Sequence, residues 1–236
     1  MKKTVLILIS IFTLNACAEL QGVMDQLPQT GGVLSNADIA SGLRQALDLG
    51  IEKQVSKLTK TDGFYKNDLV KILLPQELQK VDKGLRDIGL SSLADEGLKA
   101  LNRAAEDAVK EATPIFVAAV KDITFADAKN ILLGNDNAAT QYLTDKTQTA
   151  LYAKFQPVIN SSFAKVGADQ IWANLITKYN AIPFTNNVNP DLTDYVTGEA
   201  LKGVYTMIGV EEKEIRTKIG SRTTDLLKRV FALQDK

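Results

Sequence analysis

The sequence predicts an all-α protein, a single multi-helix, bundle-like domain, on three observations. Apolar residues recur at helical spacing along most of the chain, helix caps and Gly or Pro stops fall between those stretches, and no repeat of fixed period appears. The domain is expected over residues 35–236, after a segment 1–16 that reads as a signal peptide and a segment 17–34 that reads as a tether. One short stretch, near 64–74, leaves extended and helical readings open.

The elements follow in order. Ser35 or Asn36 is placed to cap a first helix, with Ile39, Leu43, Leu47, Ile51 and Val55 at every fourth position. "KTDGF" ends it in a glycine-bearing turn. In "YKNDLVKILLP", Leu69, Val70, Ile72, Leu73 and Leu74 fit a short strand or a buried helical turn equally well, and Pro75 suits the first position of the helix "QELQKVDKGLRDI". A long helical pattern runs from about Leu93 to Glu111, and Thr113-Pro114 restarts it as "IFVAAVKDI". Thr124 with Asp127 resembles a capping box for "FADAKNILL", which Gly134 stops. From Asn135 to Val166 the pattern is helical with interruptions at Phe155 and Pro157. Ile171, Trp172, Leu175, Ile176 and Tyr179 predict an amphipathic helix, and "NAIPFTNNVNP" a loop. A long helix is expected from about Leu192 to Ile219, broken by Gly220, before a last one carrying Leu226, Leu227, Val230 and Phe231.

The N-terminus supplies an address. "MKKTVLILISIFTLNAC" has two lysines, a short apolar run and then Cys17, and the run falls short of the ~20 residues a membrane-spanning helix needs. Leu-Asn-Ala-Cys resembles the lipobox of bacterial lipoproteins, which implies cleavage before Cys17 and a diacylglycerol on its sulfur. Ala18, in place of Asp, points to the outer membrane, facing the periplasm. "LPQTG" (27–31) has the form of a sortase signal, but it lies near the N-terminus with no apolar span after it, and it reads as part of the tether.

Composition narrows the chemistry. The chain has no histidine, and its one cysteine is Cys17. That removes Ser-His-Asp and Cys-His nucleophile systems, His-ligated zinc and intrachain disulfides. Acidic and basic residues balance at 28 each, which gives no electrostatic footprint for nucleic acid. Any cofactor stays unknown, and no metal ligand set is recognised.

Two places break simple amphipathicity. In "LNRAAEDAVKEA", Leu98, Leu101, Ala105, Ala108 and Ala112 share a face, with Asn102 at its edge, Glu106 one turn on and Arg103 at i−3 from Glu106. These groups either form a solvated edge with an ion pair or reach across a close helix junction. In "IGVEEKEIRTKIG", Glu212 stands in an apolar stripe with Ile208, Ile215 and Ile219. Buried there it needs a cation or hydrogen-bond donors, and Arg222, Arg103 and Arg216 are the candidates. "GNDNAAT" (134–140) feeds a helix N-terminus whose free N–H groups suit an anion, though Gly134 as a stop and Asn137 as a cap also explain it. Asp127, Asp136 and Asp145 lack the spacing of a calcium loop.

"FYKNDLVKILLP", "LNRAAEDAVKEATPIF", "DAKNILLGNDNAATQYLTDKT", "LTDYVTGEALKGVYTMIG", "EEKEIR" and "RTTDLLKRVF" resemble, in this order, a bacterial family of exported proteins known as domain of unknown function 4197. The resemblance spans about residues 37 to 231. It implies an envelope-associated helical protein without an assigned activity, and it places Asn102, Arg103, Glu106, Asp127, Thr140, Glu212, Arg216, Arg222 and Thr223 within family-like motifs as a candidate polar site or buried network.

The leading expectation is therefore a lipid-anchored, non-enzymatic binding or interaction module, held to the membrane through Cys17, with an envelope ligand or protein as partner. Two alternatives stand beside it. One is a carboxylate-dependent, glycan-cleaving enzyme using Glu106 and Glu212, which fails if each carboxylate is locked by an arginine. The other is a purely structural envelope protein.

Overall fold

A computed structural model describes residues 34–87, 89, 91–166, 172, 173, 177, 180 and 191–235. The segments expected to be signal peptide and tether, Cys17 included, lie outside the described residues apart from Leu34, as do most of the helix expected around Ile171–Tyr179 and the loop after it. Eight α-helices appear among the described residues, with no strand.

α1 (Asn36–Leu58) starts at a complete capping box. The Ser35 hydroxyl accepts from the Asp38 N–H, and the Asp38 carboxylate accepts from the Ser35 N–H. Those bonds hold the Asp38 carboxyl below the usual range. Residues 61–75 form turns and irregular chain, neither the strand nor the helical turn expected. Val70, Ile72 and Leu74 are nevertheless buried while Leu69 and Leu73 are exposed, the period-two burial of extended chain. α2 (Gln76–Asp87) follows Pro75, and α3 (Ser91–Val109) follows in turn.

α4 (Ala112–Lys121) starts two residues before Pro114, whose missing N–H falls among the orphan donors of a first turn. α5 (Phe125–Leu132) has the expected capping box of Thr124 and Asp127. α6 (Ala138–Val166) runs through Pro157 without interruption. The ring sits on the exposed face, where the carbonyl it deprives of a partner reaches solvent, and the opposite face is fixed by packing. α7 (Leu192–Thr217) and α8 (Asp225–Phe231) complete the set, each followed by a short 3-10 turn.

α6 and α7 form the spine. On α6 the buried positions Ala139, Leu143, Thr147, Leu151, Phe155, Ile159 and Phe163 recur every fourth residue. On α7 Leu192, Val196, Ala200, Val204, Ile208, Glu212 and Arg216 do the same. The two ridges run antiparallel: Thr147 bonds the Tyr205 hydroxyl at 2.7 Å, and Ala139 bonds Glu212. α3 packs on α6 and α7, and α1 lies across α7, α5 and α8. Gly42 lets α8 approach α1 closely, since a Cβ there would stand 2.6 Å from Val230.

Candidate functional site

Asn102 and Glu106 lie inside the core rather than at a solvated edge, because α3 buries a wider face than the alanine stripe suggested. Their partners are on the irregular segment rather than on another helix. The Asn102 amide accepts from the Ile72 N–H at 2.8 Å and donates to the Ile72 carbonyl at 2.8 Å, as a neighbouring strand would. Its second N–H goes to the Leu98 carbonyl on its own helix. Glu106 accepts from the Phe64 N–H at 3.2 Å and from Arg103 at 2.5 Å.

Arg103 reaches on to Asp62 at 2.6 Å. Burial works against its charge, and the bonds to Glu106 and Asp62 outweigh that and raise its pKa. Asp62 is held below the usual carboxylate range by its bond to Lys66 and by the Arg103 charge. Its backbone is left-handed, at φ 67°. Gly63 beside it has no room for a side chain, since a Cβ would meet the Leu58 carbonyl oxygen at 2.4 Å. Phe64, wholly buried, lies against Gly203 of α7. One helix thus pins both ends of a loop by its buried backbone.

The second cluster joins helix ends. Glu212 accepts from the N–H groups of Ala139 and Thr140 at 2.9 and 2.8 Å and from the Thr140 hydroxyl at 2.7 Å. Those are the second and third residues of α6, whose donors an N-cap side chain normally takes. The anion expected at this helix N-terminus is therefore an internal carboxylate, and Asn137 contributes its carbonyl to Gln141. Arg216 pairs with Glu212 at 2.8 Å and donates to the Ile131 and Leu132 carbonyls at the C-terminus of α5. Anion at an N-terminus and cation at a C-terminus each oppose a helix dipole. One ion pair on α7 so clasps both sides of the 133–137 turn.

Arg222, the nearest cation expected for Glu212, serves elsewhere. It donates to the Ile215 and Arg216 carbonyls, which closes the C-terminus of α7, and it binds Asp235 through both Nη atoms at 2.6 and 2.7 Å. The Arg222 bond holds the Asp235 carboxyl below its ordinary value. Thr223 is exposed next to it, and Asp127 is confined to its capping box. The nine candidate positions therefore form two separate clasps with outliers, not one site. Glu211 was missed; it takes Lys53 and Gln54 at 2.8 and 2.6 Å.

Room beside the Glu212 clasp is small. The cavity between α1 and α7 beside Glu211 and Glu212 measures about 30 Å³, space for one or two waters. A groove of about 660 Å³ lies instead between residues 69–76 and the first half of α7, in the range of ligand pockets. Leu69 and Leu73, 63% and 56% exposed, stand on its wall. Lys71, Gln79, Glu199 and Lys202 supply polar groups, and the Tyr195 hydroxyl donates to the Leu73 carbonyl at 2.8 Å. The Asn102–Glu106 clasp fixes the loop that forms this wall. Leu69 and its neighbours drew notice in sequence only for their ambiguous period, and none of the groove residues was a candidate site residue. The available signal was five apolar residues within the six positions 69–74, more than one face of an extended segment can bury.

An all-α domain with a clasped, irregular loop walling a surface groove is the class of protein defined here. Residues 33–232 match the family described as protein of unknown function DUF4197, and the chain belongs to it. No curated protein and no solved structure matches the chain.

Proposed function

We propose that the protein is a lipid-anchored, non-enzymatic binding module of the bacterial envelope, outer-membrane bound and facing the periplasm, that holds an envelope ligand or partner in the groove beside residues 69–76. The observation that carries this reading is the loop itself. Its backbone is bound by Asn102, Glu106 and Tyr195, yet it turns two leucines outward. Fixing irregular chain in one shape removes the entropy cost of ordering it on binding. Loops held rigidly by a scaffold are where recognition concentrates.

The glycan-cleaving reading loses its support. Glu106 is bound by Arg103 and a backbone N–H, and Glu212 by Arg216, two N–H groups and a hydroxyl. Carboxylates so committed have no free oxygen to exchange a proton with a substrate.

Native mass spectrometry of the full chain, purified gently from a bacterial envelope, tests the reading. An added mass present in the wild type and absent from a Leu69→Asp/Leu73→Asp variant is the expected result. Both positions are exposed, so that variant should unfold within about 0.5 kcal/mol of wild type. A bare wild-type chain, or an added mass indifferent to the variant, refutes the groove. Intact mass also reads the anchor: diacylglycerol on Cys17, lost in Cys17→Ser.

A further inference from the structure

Among the described residues, four large apolar side chains are more than half exposed, and they fall into two pairs. Leu69 and Leu73 belong to the groove. Leu133 and Ile219, 58% and 65% exposed, lie at the other end of α7. Leu133 follows the Leu132 carbonyl that Arg216 binds, and Ile219 comes three residues after Arg216, so one guanidinium gathers both. From the groove residues on α7, Tyr195 to Thr206, to Thr217 the helix rises by about 17 to 33 Å at ~1.5 Å per residue. The pairs lie toward opposite ends of α7.

The chain enters at the second pole. Leu34 is buried just ahead of α1, and the first half of that helix, through Leu43, Ala46 and Leu47, packs beside Ile215 of α7 and Phe231 of α8. Sixteen residues lie between Cys17 and Leu34, so a lipid on that cysteine keeps this end nearer the bilayer than the other. Lys129, in the last turn of α5, and Lys218, just past α7 and paired with Glu214 at 2.9 Å, stand close in the chain to the two aliphatic side chains.

We infer that the pole carrying Leu133 and Ile219 rests on the phospholipid surface of the membrane that holds the anchor, with the groove turned away from it. The inference rests on the lipid-anchor reading. The acyl chains decide retention, and two more aliphatic side chains add little to that. What the two side chains and the two lysines decide is orientation, because of the two exposed apolar pairs only this one lies at the end where the chain enters, within easy reach of the acyl–headgroup boundary.

Cys17 is the only cysteine and carries the lipid, so one introduced cysteine gives one labelling position. Full-length lipidated Leu133→Cys, Ile219→Cys and Leu73→Cys variants, each bearing an environment-sensitive nitrobenzoxadiazole label, are reconstituted into phosphatidylethanolamine/phosphatidylglycerol vesicles containing nitroxide-labelled lipid. Several-fold stronger quenching at 133 and 219 than at 73 is expected. Equal quenching at all three, or the strongest at 73, in an acylated chain that floats with the vesicles overturns the orientation alone. A chain without acyl mass that stays behind on flotation overturns the anchor and, with it, this inference.

Discussion

Replacing Glu212 by Gln keeps the size of the side chain and removes its charge, and the structure sets the cost. The carboxylate faces two backbone N–H groups, one hydroxyl and the Arg216 guanidinium, all donors. A carboxamide offers one accepting oxygen and turns an N–H₂ group toward the remaining donors. Arg216 is then left buried without its counter-ion, which typically costs about 3–5 kcal/mol. Stranding one buried N–H costs about 1–3 kcal/mol, but that loss overlaps with the first rather than adding to it. The expected destabilisation is thus about 3–5 kcal/mol, a large part of the ~5–15 kcal/mol that folded domains possess. Urea unfolding followed by far-ultraviolet circular dichroism measures it as a lowered midpoint at unchanged slope. Amide exchange at Ala139 and Thr140 should quicken in the same variant. A loss below about 1 kcal/mol would mean that these groups are satisfied in some other way, and the clasp argument would fail.

Other perturbations test the remaining parts. Asn102→Ala removes both bonds to Ile72 and should cost about 2–4 kcal/mol in urea unfolding, with near-wild-type helix content in the surviving fold. Gly203→Ala brings a Cβ to 2.6 Å from Phe64 and 3.3 Å from Val70, so it should destabilise by about 1–3 kcal/mol and shift the amide resonances of residues 64–74. Asp235→Asn tests the Arg222 latch through pH. The Asp235 pKa is depressed below 3.8, so the stability it adds is complete above that value and is lost as pH falls through the lower, folded value. The gap between wild type and variant should therefore be constant near neutrality and close in acid; a gap that persists in acid contradicts the latch.

Most of the helices were legible because each carries its own signal. Ser35 and Thr124 announce caps, Gly134 a stop, and the every-fourth-residue ridge of α1 a buried face. The smoothness of α6 was not legible, because a proline reads as a local break and only the exposure of its face, a tertiary fact, neutralises it. Glu212 could be singled out as a carboxylate in an apolar stripe, and Arg216 was among its candidate partners. That α6 would offer its N-terminus could not be read, since those donors are backbone groups with no residue signature. Asn102 was a candidate, but its partner on the irregular segment escaped in a related way. An amide at the margin of an alanine face looks solvated until the loop that closes over it is known. The groove was hidden in the one segment where apolar spacing fits both periods.

The clasp bonds join residues 72 to 85 positions apart, between a turn in the middle of the chain and a helix close to its end. Helices α5 and α6 can form within microseconds from local bonds, but Glu212 and Arg216 find their partners only when α7 docks. A compact intermediate that brings one of the two charges inward without the other is penalised, so docking of α7 should approach all-or-none and come late. Substitutions at these positions should then hasten unfolding while leaving the refolding rate nearly untouched. Under the export proposed above, which would carry the chain across a membrane unfolded, this ordering is an advantage, because the last long helix holds the charges on which the assembled state depends.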